Sequence, residues 1–355
     1  MNYNVIGVMS GTSLDGIDLA YITFKFNSTW KFDITYAETV NYSKEWTEKL
    51  KKLVQMSADD LQQLDHDYTL YLAKVINQFI KTHHISDIDA ICSHGHTALH
   101  QPEKGLTYQI GNLPKIATLL HQTVVCNFRV ADVKLGGQGA PLVPIGDALL
   151  FPEYDFCLNL GGFANISTEI NNRRIAYDVC PVNIVLNQYV HSLGLDFDNR
   201  GQLAASGNIH QELLSKLNAL EFYGLKHPKS LGLEWVKTVV FPLIDSFKIH
   251  TKDVLKTFVE HISTQISKEI NTKTSAKILV TGGGVYNDFL MQQIKNKTHN
   301  TIIVPDNSII EFKEALIFGL LGVLKLRNEI NCLSSVTGAS KNHSSGIIYK
   351  SIKML

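Results

Sequence analysis

Residues 6–18 have the sequence IGVMSGTSLDGID, and this stretch decides how the chain begins to fold. An apolar run at 5–9 enters a turn that contains Gly11 and Gly16, and an alternating run at 17–26 leaves it. This pattern predicts two strands joined by a glycine turn. The β-branched and aromatic residues at 32–39 predict a third strand.

The same order of elements recurs later in the chain. Residues 156–160 are apolar, GGFAN at 161–165 is a glycine turn, and residues 166–170 and 175–179 predict two strands on either side of the polar turn NNRR. The side chains of the two copies differ. We therefore expect two lobes built on one strand plan.

The boundary between these lobes is predicted from a change in composition. Segment 131–144 is rich in glycine and proline and follows neither the helical nor the strand period. We place the boundary just after it, which gives lobes at 1–146 and 147–355.

The composition limits the classes of partner. The chain has 355 residues, with 33 basic and 33 acidic side chains and a formal net charge of zero, so no bulk charge attracts nucleic acid or an anionic membrane. Its five cysteines form no CxxC pair and are expected to be reduced thiols. The N-terminus lacks the features of a signal peptide, and the apolar run at 315–326 is shorter than the ~20 residues of a membrane span. We expect a cytoplasmic protein that binds neither nucleic acid nor membrane.

Three glycine turns, each after a predicted strand, are candidate phosphate sites. Backbone N–H groups in such turns can converge on phosphate oxygens, and glycine permits close approach. The chain has no GxxxxGK[ST] motif, which excludes a P-loop, and no early GxGxxG, which disfavours a dinucleotide-binding fold. The turns are SGTSLDG at 10–16, LGGFAN at 160–165 and TGGGVYN at 281–287.

The first turn also carries side chains that suit a nucleotide. Thr12 and Ser13 offer hydroxyls to phosphate, while Asp15 and Asp18 could orient a hydrated Mg²⁺ ion, which commonly needs only one or two carboxylates beside ATP. The alternative is that Asp15 only shapes the turn and Asp18 only marks a strand edge.

Asp178 stands at the end of a predicted strand in the second lobe. A carboxylate at the end of a strand in a cleft is a natural general base. The residues alone leave open an equal alternative, in which Asp178 caps a helix that begins near Pro181.

Three histidines and an arginine provide further candidates. His94, His96 and His100 could form a metal site, hydrogen-bond to a polar substrate or pack in the core. Arg129 suits a carboxylate ligand, or it forms a pair with Asp132 that braces the neighbouring loop. The polar pairs Lys229-Ser230 and Lys313-Glu314 resemble ordinary surface residues.

Taken in order, the motifs of this chain resemble those of the 1,6-anhydro-N-acetylmuramic acid kinases. The likeness extends from Ile6 to about Gly338. The motifs are VMSGTSLDGID (8–18), SHGHTALH (93–100), FRVADVKLGGQGAPLVP (128–144), NLGGFANIS (159–167), PKSLG (228–232), VTGGGVYNDFLM (280–291) and FKEALIFGLL (312–321).

The resemblance implies a fold and a reaction. The fold is the α/β, two-lobed sugar kinase/Hsp70/actin type, with duplicated ribonuclease H-like mixed sheets and ATP bound between the lobes. The enzyme is a kinase in which water opens the 1,6-anhydro bridge of 1,6-anhydro-N-acetylmuramic acid while O6 receives the γ-phosphoryl group of ATP. The products are N-acetylmuramic acid 6-phosphate and ADP, a step of peptidoglycan turnover and cell-wall recycling. A homodimer is also implied.

The resemblance assigns roles to individual residues. Asp178 matches the general base. Mg²⁺ is expected with ATP, near Asp15 and Asp18, with no separate metal site. The phosphate-loop positions are Gly11, Thr12, Ser13, Leu14, Asp15, Gly16, Ile17 and Asp18 in the first lobe and Gly161, Gly162, Gly282, Gly283 and Gly284 in the second. The positions expected near the sugar are Thr97, Arg129, Asp132 and Glu314.

The chain departs from the family pattern directly after the base. The usual sequence D-x-G-P-G-N is replaced here by DVCPVN, which puts Cys180 and Val182 where the family has glycines. Side chains at these positions would limit how closely the backbone approaches a ligand. This departure leaves open a non-catalytic or altered-specificity ATP-binding homologue. Separately, His94, His96 and His100 leave open a metal-dependent hydrolase.

Overall fold

The computed structural model describes residues 1–11 and 14–351. The chain forms two compact units. The first combines Met1–Phe151 with the segment from Phe312 onward, and the second is Pro152–Glu311.

The first unit is built on a seven-stranded sheet. Strand and helix numbers follow the whole chain. Its strands are β1 Asn2–Ser10, β2 Gly16–Asn27, β3 Thr29–Asn41, β4 Ala90–Gln101, β5 Leu106–Ile110, β6 Val124–Cys126 and β12 Ile347–Tyr349. They lie in the order β12-β6-β4-β1-β2-β3, and β5 pairs with β4. Its helices are α1 Lys44–Lys51, α2 Ala58–Thr82, α3 Lys115–Leu120, α4 Val130–Lys134, α5 Val143–Leu150 and α14 Ser334–Thr337, and α13 Asn307–Leu326 crosses into it from the second unit.

The second unit is built on a five-stranded sheet. Its strands are β7 Phe156–Leu160, β8 Phe163–Ile170, β9 Arg173–Pro181, β10 Lys277–Thr281 and β11 Thr301–Ile303, in the order β11-β10-β7-β8-β9. Its helices are α6 Asn183–His191, α7 Gln202–Ser206, α8 Gln211–Asn218, α9 Leu233–Trp235, α10 Phe241–Asp245, α11 Thr251–Ile270 and α12 Asp288–Asn296, and a π-helical turn covers Val236–Val240.

The two sheets follow one plan, as the sequence predicts. In the first, β1, β2 and β3 form an antiparallel meander, and β1 continues in parallel through β4 to β6. In the second, β7, β8 and β9 form the same meander, and β7 continues in parallel through β10 to β11. The duplicated mixed-sheet fold is confirmed.

The division of the chain differs from the predicted boundary. The first unit extends to Phe151, and residues from Phe312 onward return to it. Two contacts explain the return: β12 pairs antiparallel with β6, and α13 packs so tightly on β1 that a Cβ on Gly7 would lie 2.0 Å from the carbonyl oxygen of Ala315. Local sequence patterns carry no information about such distant pairing.

Most predicted elements occur close to their expected places. Ser57 caps α2 through its side chain, which accepts a hydrogen bond from the Asp60 N–H group. The polar turn after β8 has positive φ at Asn171 and Asn172, as a two-residue hairpin turn requires. β4, at Ala90–Gln101, includes all three candidate histidines.

Each unit has its own apolar core. In the first, one face of α2 packs on the sheet, with Tyr68, Leu72 and Phe79 fully or almost fully buried. In the second, α11 supplies the central stripe, which includes Phe258, Ile262 and Ile266. All five cysteines are buried free thiols. Within the described residues, no helix combines the length and apolar character needed to cross a membrane.

Candidate active site

Asp178 lies in β9 of the second unit and is held from a distant part of the chain. Its Oδ2 atom accepts hydrogen bonds from the backbone N–H of Leu231 at 2.8 Å and from the Ser230 hydroxyl at 3.3 Å. Its own N–H donates to the carbonyl of Lys229 at 3.0 Å. Desolvation raises the pKa of Asp178, and the two hydrogen bonds to the carboxylate oppose this rise.

The alternative in which Asp178 caps the next helix does not agree with the structure. α6 begins at Asn183, its N-cap residue is Val182, and no side chain caps it. Pro181 ends β9 rather than starting the helix. The Asp178 carboxylate is therefore oriented by the segment 229–231 and is only half-buried.

Sequence reasoning missed the role of Ser230, which it treated as an ordinary surface residue. The signal for this segment in the sequence is the PKSLG motif at 228–232, which belongs to the family likeness. Its partner Asp178 lies 52 residues earlier in the chain, so no local pattern connects the two.

The two glycine turns of the second unit lie against each other. Gly282 has φ +85°, and a Cβ there would lie 2.6 Å from the side-chain oxygen of Asn159. Gly284 approaches Leu160 equally closely, while a Cβ on Gly283 would meet nothing within 4 Å. The glycine turn after β10 therefore packs closely on the end of β7, where the other glycine turn begins.

Two details of these turns bear on whether they could bind a ligand. The Thr281 hydroxyl at the end of β10 is buried and has no hydrogen-bond partner among the described residues. The Gly162 carbonyl accepts from Val182 N–H at 2.8 Å and Ile184 N–H at 3.3 Å, which ties the first glycine turn to the start of α6. Gly161 and Gly162 are thus fixed close to the entry of that helix.

Cys180 and Val182 take positions in the core of the second unit. Both are fully buried, and both belong to the same cluster of apolar side chains. Their replacement of family glycines therefore adds side chains to the interior of this unit.

In the first unit, Thr12 and Ser13 lie outside the described residues. Leu14, with φ 62°, is partly buried and packs against the apolar core, while Ile17 is fully buried, so Ile17 could reach a ligand only through its backbone. Asp15 is exposed. Asp18 accepts a hydrogen bond from the Thr39 hydroxyl at 2.6 Å, so its carboxylate is already engaged.

A buried polar network is centred on Ser10, the last residue of β1. The Ser10 hydroxyl oxygen lies 2.8 Å from His96 Nδ1 and 2.6 Å from the Tyr42 hydroxyl, and the Tyr68 hydroxyl donates to it at 3.0 Å. Burial lowers the pKa of His96 to about 4 and raises the pKa of Tyr42 to about 12. All four groups are therefore uncharged at neutral pH.

Arg129 is bonded to His94 and to the glycine-rich loop. Its Nε donates to His94 Nε2 at 2.8 Å, and its Nη1 donates to the Gly139 carbonyl at 2.7 Å. His94 Nδ1 lies 2.8 Å from the Gly95 carbonyl, which can only accept, so Nδ1 carries the proton and Nε2 is free to accept from Arg129. Burial and the Arg129 charge hold the pKa of His94 well below its usual range.

These bonds leave the three histidines poorly suited to a metal. His94 and His96 are engaged as described, and His100 Nδ1 lies 3.1 Å from the Thr107 hydroxyl. In the described part of the chain, the group of three metal-capable side chains that lie close together does not include any of them.

Asp132 and Arg129 hold the same loop residue from two directions. Asp132 is fully buried, and its Oδ2 accepts from the Gly139 N–H at 2.7 Å, while Arg129 holds the Gly139 carbonyl. The two residues thus brace the loop separately, each through a backbone group of Gly139, whereas the sequence interpretation expects them to bond to each other. Thr97 lies in β4, half-buried, and pairs with Gln109 of β5.

Glu314 belongs to the same charged neighbourhood of the first unit. Glu314 keeps solvent-accessible surface, but the protein atoms crowded around its carboxyl raise its pKa by desolvation; the nearby Arg129 opposes this rise and Asp18 adds to it. Its neighbour Lys313 forms a buried ion pair with Asp147 at 2.7 Å. The first unit therefore brings Asp18, Arg129 and Glu314 within electrostatic range of one another.

Comparisons with known proteins give a consistent result. The family model for anhydro-N-acetylmuramic acid kinase matches residues 3–351. Proteins named anhydro-N-acetylmuramic acid kinase are 34% identical in Pasteurella multocida (97% of this chain, 96% of the relative), 32% in Pseudomonas syringae pv. tomato (98% and 100%) and 31% in Haemophilus influenzae (97% and 97%).

The solved structures that align with this chain are more distant. Component A of (R)-2-hydroxyglutaryl-CoA dehydratase from Acidaminococcus fermentans aligns with a TM-score of 0.49 and 12% identity, over 92% of this chain and 99% of that one. A ROK family glucokinase from Streptomyces griseus aligns with a TM-score of 0.41 and 11% identity, over 90% and 99%. Neither likeness assigns a ligand to this chain. The match of the family model over nearly the whole length, together with relatives above 30% identity, shows that this chain belongs to the anhydro-N-acetylmuramic acid kinase family.

Proposed function

We propose that this chain uses ATP to convert 1,6-anhydro-N-acetylmuramic acid into N-acetylmuramic acid 6-phosphate and ADP. Family membership makes it a phosphotransferase with an alcohol acceptor. The single observation that carries the detailed proposal is the Asp178 carboxylate, half-buried and oriented by Leu231 and Ser230.

The chemistry needs a base that activates water. In our proposal Asp178 removes a proton from a water molecule as its oxygen attacks the anomeric carbon. The bond from that carbon to O6 breaks, and O6 takes the γ-phosphoryl group as ADP leaves. A raised pKa makes the carboxylate a better proton acceptor, and a positioned base contributes ~10²–10⁴ in rate.

ATP is the second substrate in this proposal. The adjoining glycine turns of the second unit provide backbone for its phosphates, as Gly283 has open space and Thr281 has an unused hydroxyl. Mg²⁺ would supply positive charge to the phosphates, and Asp15 and Asp18 are the carboxylates proposed to orient its water shell.

The sugar contacts are proposed for the first unit. Arg129 is fixed by His94 and Gly139 and offers the positive charge that a muramic acid carboxylate needs. Thr97 and Glu314 are proposed to contribute polar contacts. Asp132 is fully buried, so we propose that it acts on the sugar site by positioning the Gly139 loop.

We further propose a homodimer in the cytoplasm. Five buried free thiols fit a reducing compartment, and the dimer follows the family likeness. Light scattering coupled to gel filtration measures the oligomeric state directly.

Isotope labelling tests the reaction. The protein is incubated with ATP, Mg²⁺ and the anhydro-sugar in ¹⁸O-water, and the products are analysed by mass spectrometry. We expect ¹⁸O on the anomeric carbon of the sugar phosphate and none in its phosphoryl group. Reactions without the sugar, or with excess chelator, serve as controls.

Two results would contradict the proposal. Label in the phosphoryl group would mean that water attacks phosphorus rather than carbon. Formation of no sugar phosphate, with ATP still bound, would favour a non-catalytic or altered-specificity homologue.

A further inference from the structure

A cluster of three metal-capable side chains lies in the first unit. Of the three, only Asp132 also belongs to the site described above. Asp132, Cys332 and His343 each offer one ligand atom, and these three atoms lie within 4.8 Å of one another. Thiolate, imidazole and carboxylate are the ligand types that zinc takes in proteins. We propose that these residues form a zinc site.

His343 has a buried side chain, with its ring proton on the nitrogen that faces away from the cluster. Its side chain is only 8% exposed, and its Nδ1 lies 3.1 Å from the Lys341 carbonyl, which can only accept, so Nδ1 carries the proton. In the neutral ring the lone pair is then on Nε2. Metal-bound histidines are commonly fixed in this way, with the other ring nitrogen donating to a backbone carbonyl.

The Nε2 atom of His343 lies opposite the Asp132 carboxylate. It is buried and has no hydrogen-bond partner among the described residues, and it lies 3.7 Å from Asp132 Oδ1. This distance is too long for a direct hydrogen bond. Two ligand atoms ~2.1 Å from a tetrahedral zinc ion lie roughly 3.4 Å apart, so an ion fits between these atoms with little movement.

Cys332 completes the ligand set. Its thiol donates to Asp132 Oδ1 at 3.1 Å, and a zinc ion would require the sulfur to move outward by about half an ångström. Burial and the Asp132 carboxylate raise the pKa of the Cys332 thiol. On binding, the thiol proton leaves to solvent and the thiolate binds zinc. The Thr337 hydroxyl, which donates to Asp132 Oδ1 at 2.7 Å, steadies the carboxylate, and water takes the fourth position.

The site would connect the last part of the first unit to α4. Asp132 lies in α4 and holds the Gly139 loop, while Cys332 and His343 pair with each other in an isolated β-bridge. Zinc would thus fasten the C-terminal segment to the loop that Arg129 also braces. The proposal rests on these contacts and does not depend on the proposed kinase reaction.

Metal-binding measurements on the full chain test the proposal. Protein stripped with a chelator is titrated with Zn²⁺ in competition with a chromophoric chelator, and with Co²⁺ while the near-ultraviolet thiolate-to-metal band is recorded. We expect one equivalent of zinc, a cobalt–thiolate band, and no displacement by excess Mg²⁺ or Ca²⁺. His343→Gln should weaken zinc binding by more than ~100-fold, and Cys332→Ser should abolish the cobalt band.

Matched variants separate this site from general effects. Cys126→Ser removes another buried thiol of the same unit, and His100→Gln removes a histidine outside the cluster; both should bind zinc as the unchanged protein does. Circular dichroism checks that each variant is folded. The cobalt band of the unchanged protein tests the proposal even if a variant fails to fold. Absence of that band, or equal zinc affinity with and without His343→Gln, would overturn the proposal.

Discussion

The two units differ in which strand of the meander carries the acid. In the first unit the acid is the third residue of the second strand, and in the second unit it lies on the third strand, opposite that position. In the first unit Asp18 of β2 pairs with Thr39 of β3, and the threonine hydroxyl donates to the acid. In the second unit Asn165 of β8 pairs with Asp178 of β9. The same scaffold therefore presents a carboxylate from either strand.

The surroundings of the two acids differ more than their positions. Near Asp18, side chains bond to one another, in the Ser10 network and in the Arg129–His94 pair. Asp178 is held instead by a separate segment, through one backbone N–H and one hydroxyl. The first unit thus bonds its polar side chains to one another, whereas in the second unit a separate segment orients one carboxylate, which we propose to be the base.

The largest expected effect comes from removing that carboxylate. Asp178→Asn keeps the shape of the side chain but cannot accept a proton, so kcat should fall by at least ~10² while the affinity for ATP stays within about twofold. Steady-state kinetics and nucleotide titration measure both. Asp196→Asn, at an exposed position of the same unit, is the control. Near-normal turnover in Asp178→Asn would show that the second unit does not supply the base.

The next effect concerns Arg129, which donates to both His94 and the Gly139 carbonyl. Arg129→Ala leaves His94 Nε2 and the Gly139 carbonyl without their donor, and losing hydrogen bonds to a charged group costs about 1.5–3 kcal/mol of unfolding free energy. The KM for the sugar should rise as well. Denaturant melts and kinetics measure the two effects, with exposed Arg173→Ala as control. A change in KM without loss of stability would mean that Arg129 binds ligand but does not brace the loop.

A pH-dependent effect follows from the neutral imidazole of His96. Its pKa is about 4 in the folded protein and ~6.5 when unfolded, so the unfolded state binds more protons between these values. Its contribution to stability is therefore present above pH ~6.5 and is lost as the pH falls toward 4, by up to ~1.4 kcal/mol per pH unit.

His96→Asn should remove that part of the slope. Melts at several pH values, compared with exposed His299→Asn, measure it. The raised pKa values of Asp178 and Glu314 act in the opposite direction, but they are common to both proteins and cancel in the difference. An unchanged slope in His96→Asn would show that this histidine is not buried in its neutral form.

The smallest effect concerns the Ser230 hydroxyl, which donates a hydrogen bond to Asp178. Ser230 lowers the pKa of Asp178, so Ser230→Ala should raise it and move the acid limb of the kcat/KM profile to higher pH, while the plateau falls only a few-fold. The control is Ser192→Ala, which removes a hydroxyl bonded only to the Tyr189 carbonyl among the described contacts. A shift toward lower pH would contradict the assignment of Asp178 as the group that titrates.

The sequence predicts the two meanders well because each consists of neighbouring strands and turns. Alternating side chains, the glycine turns and the polar turn at Asn171 and Asn172 are local signals. Asp178 is a candidate base from its place at the end of the predicted strand and from the family motif; in the structure β9 continues beyond it to Pro181. These features require no knowledge of distant contacts.

The parts that sequence reasoning missed depend on distant contacts. Ser230 meets Asp178 across 52 residues, and Cys332 meets Asp132 across 200. The pairing of β12 with β6 involves strands of only three residues, too short to show a period. Only the folded structure reveals these partners.

The return of β12 to β6 also affects the order in which the protein can form during synthesis. The second unit, at 152–311, is one continuous stretch and is fully translated before the residues that complete the first sheet. Because domains fold as units while the chain emerges from the ribosome, the second unit can form first although it starts later. Until the last segment arrives, the edge of β6 has no partner strand and could pair with another chain. During synthesis, the site most vulnerable to misassembly is thus β6, in the part of the first unit that is translated before the second unit.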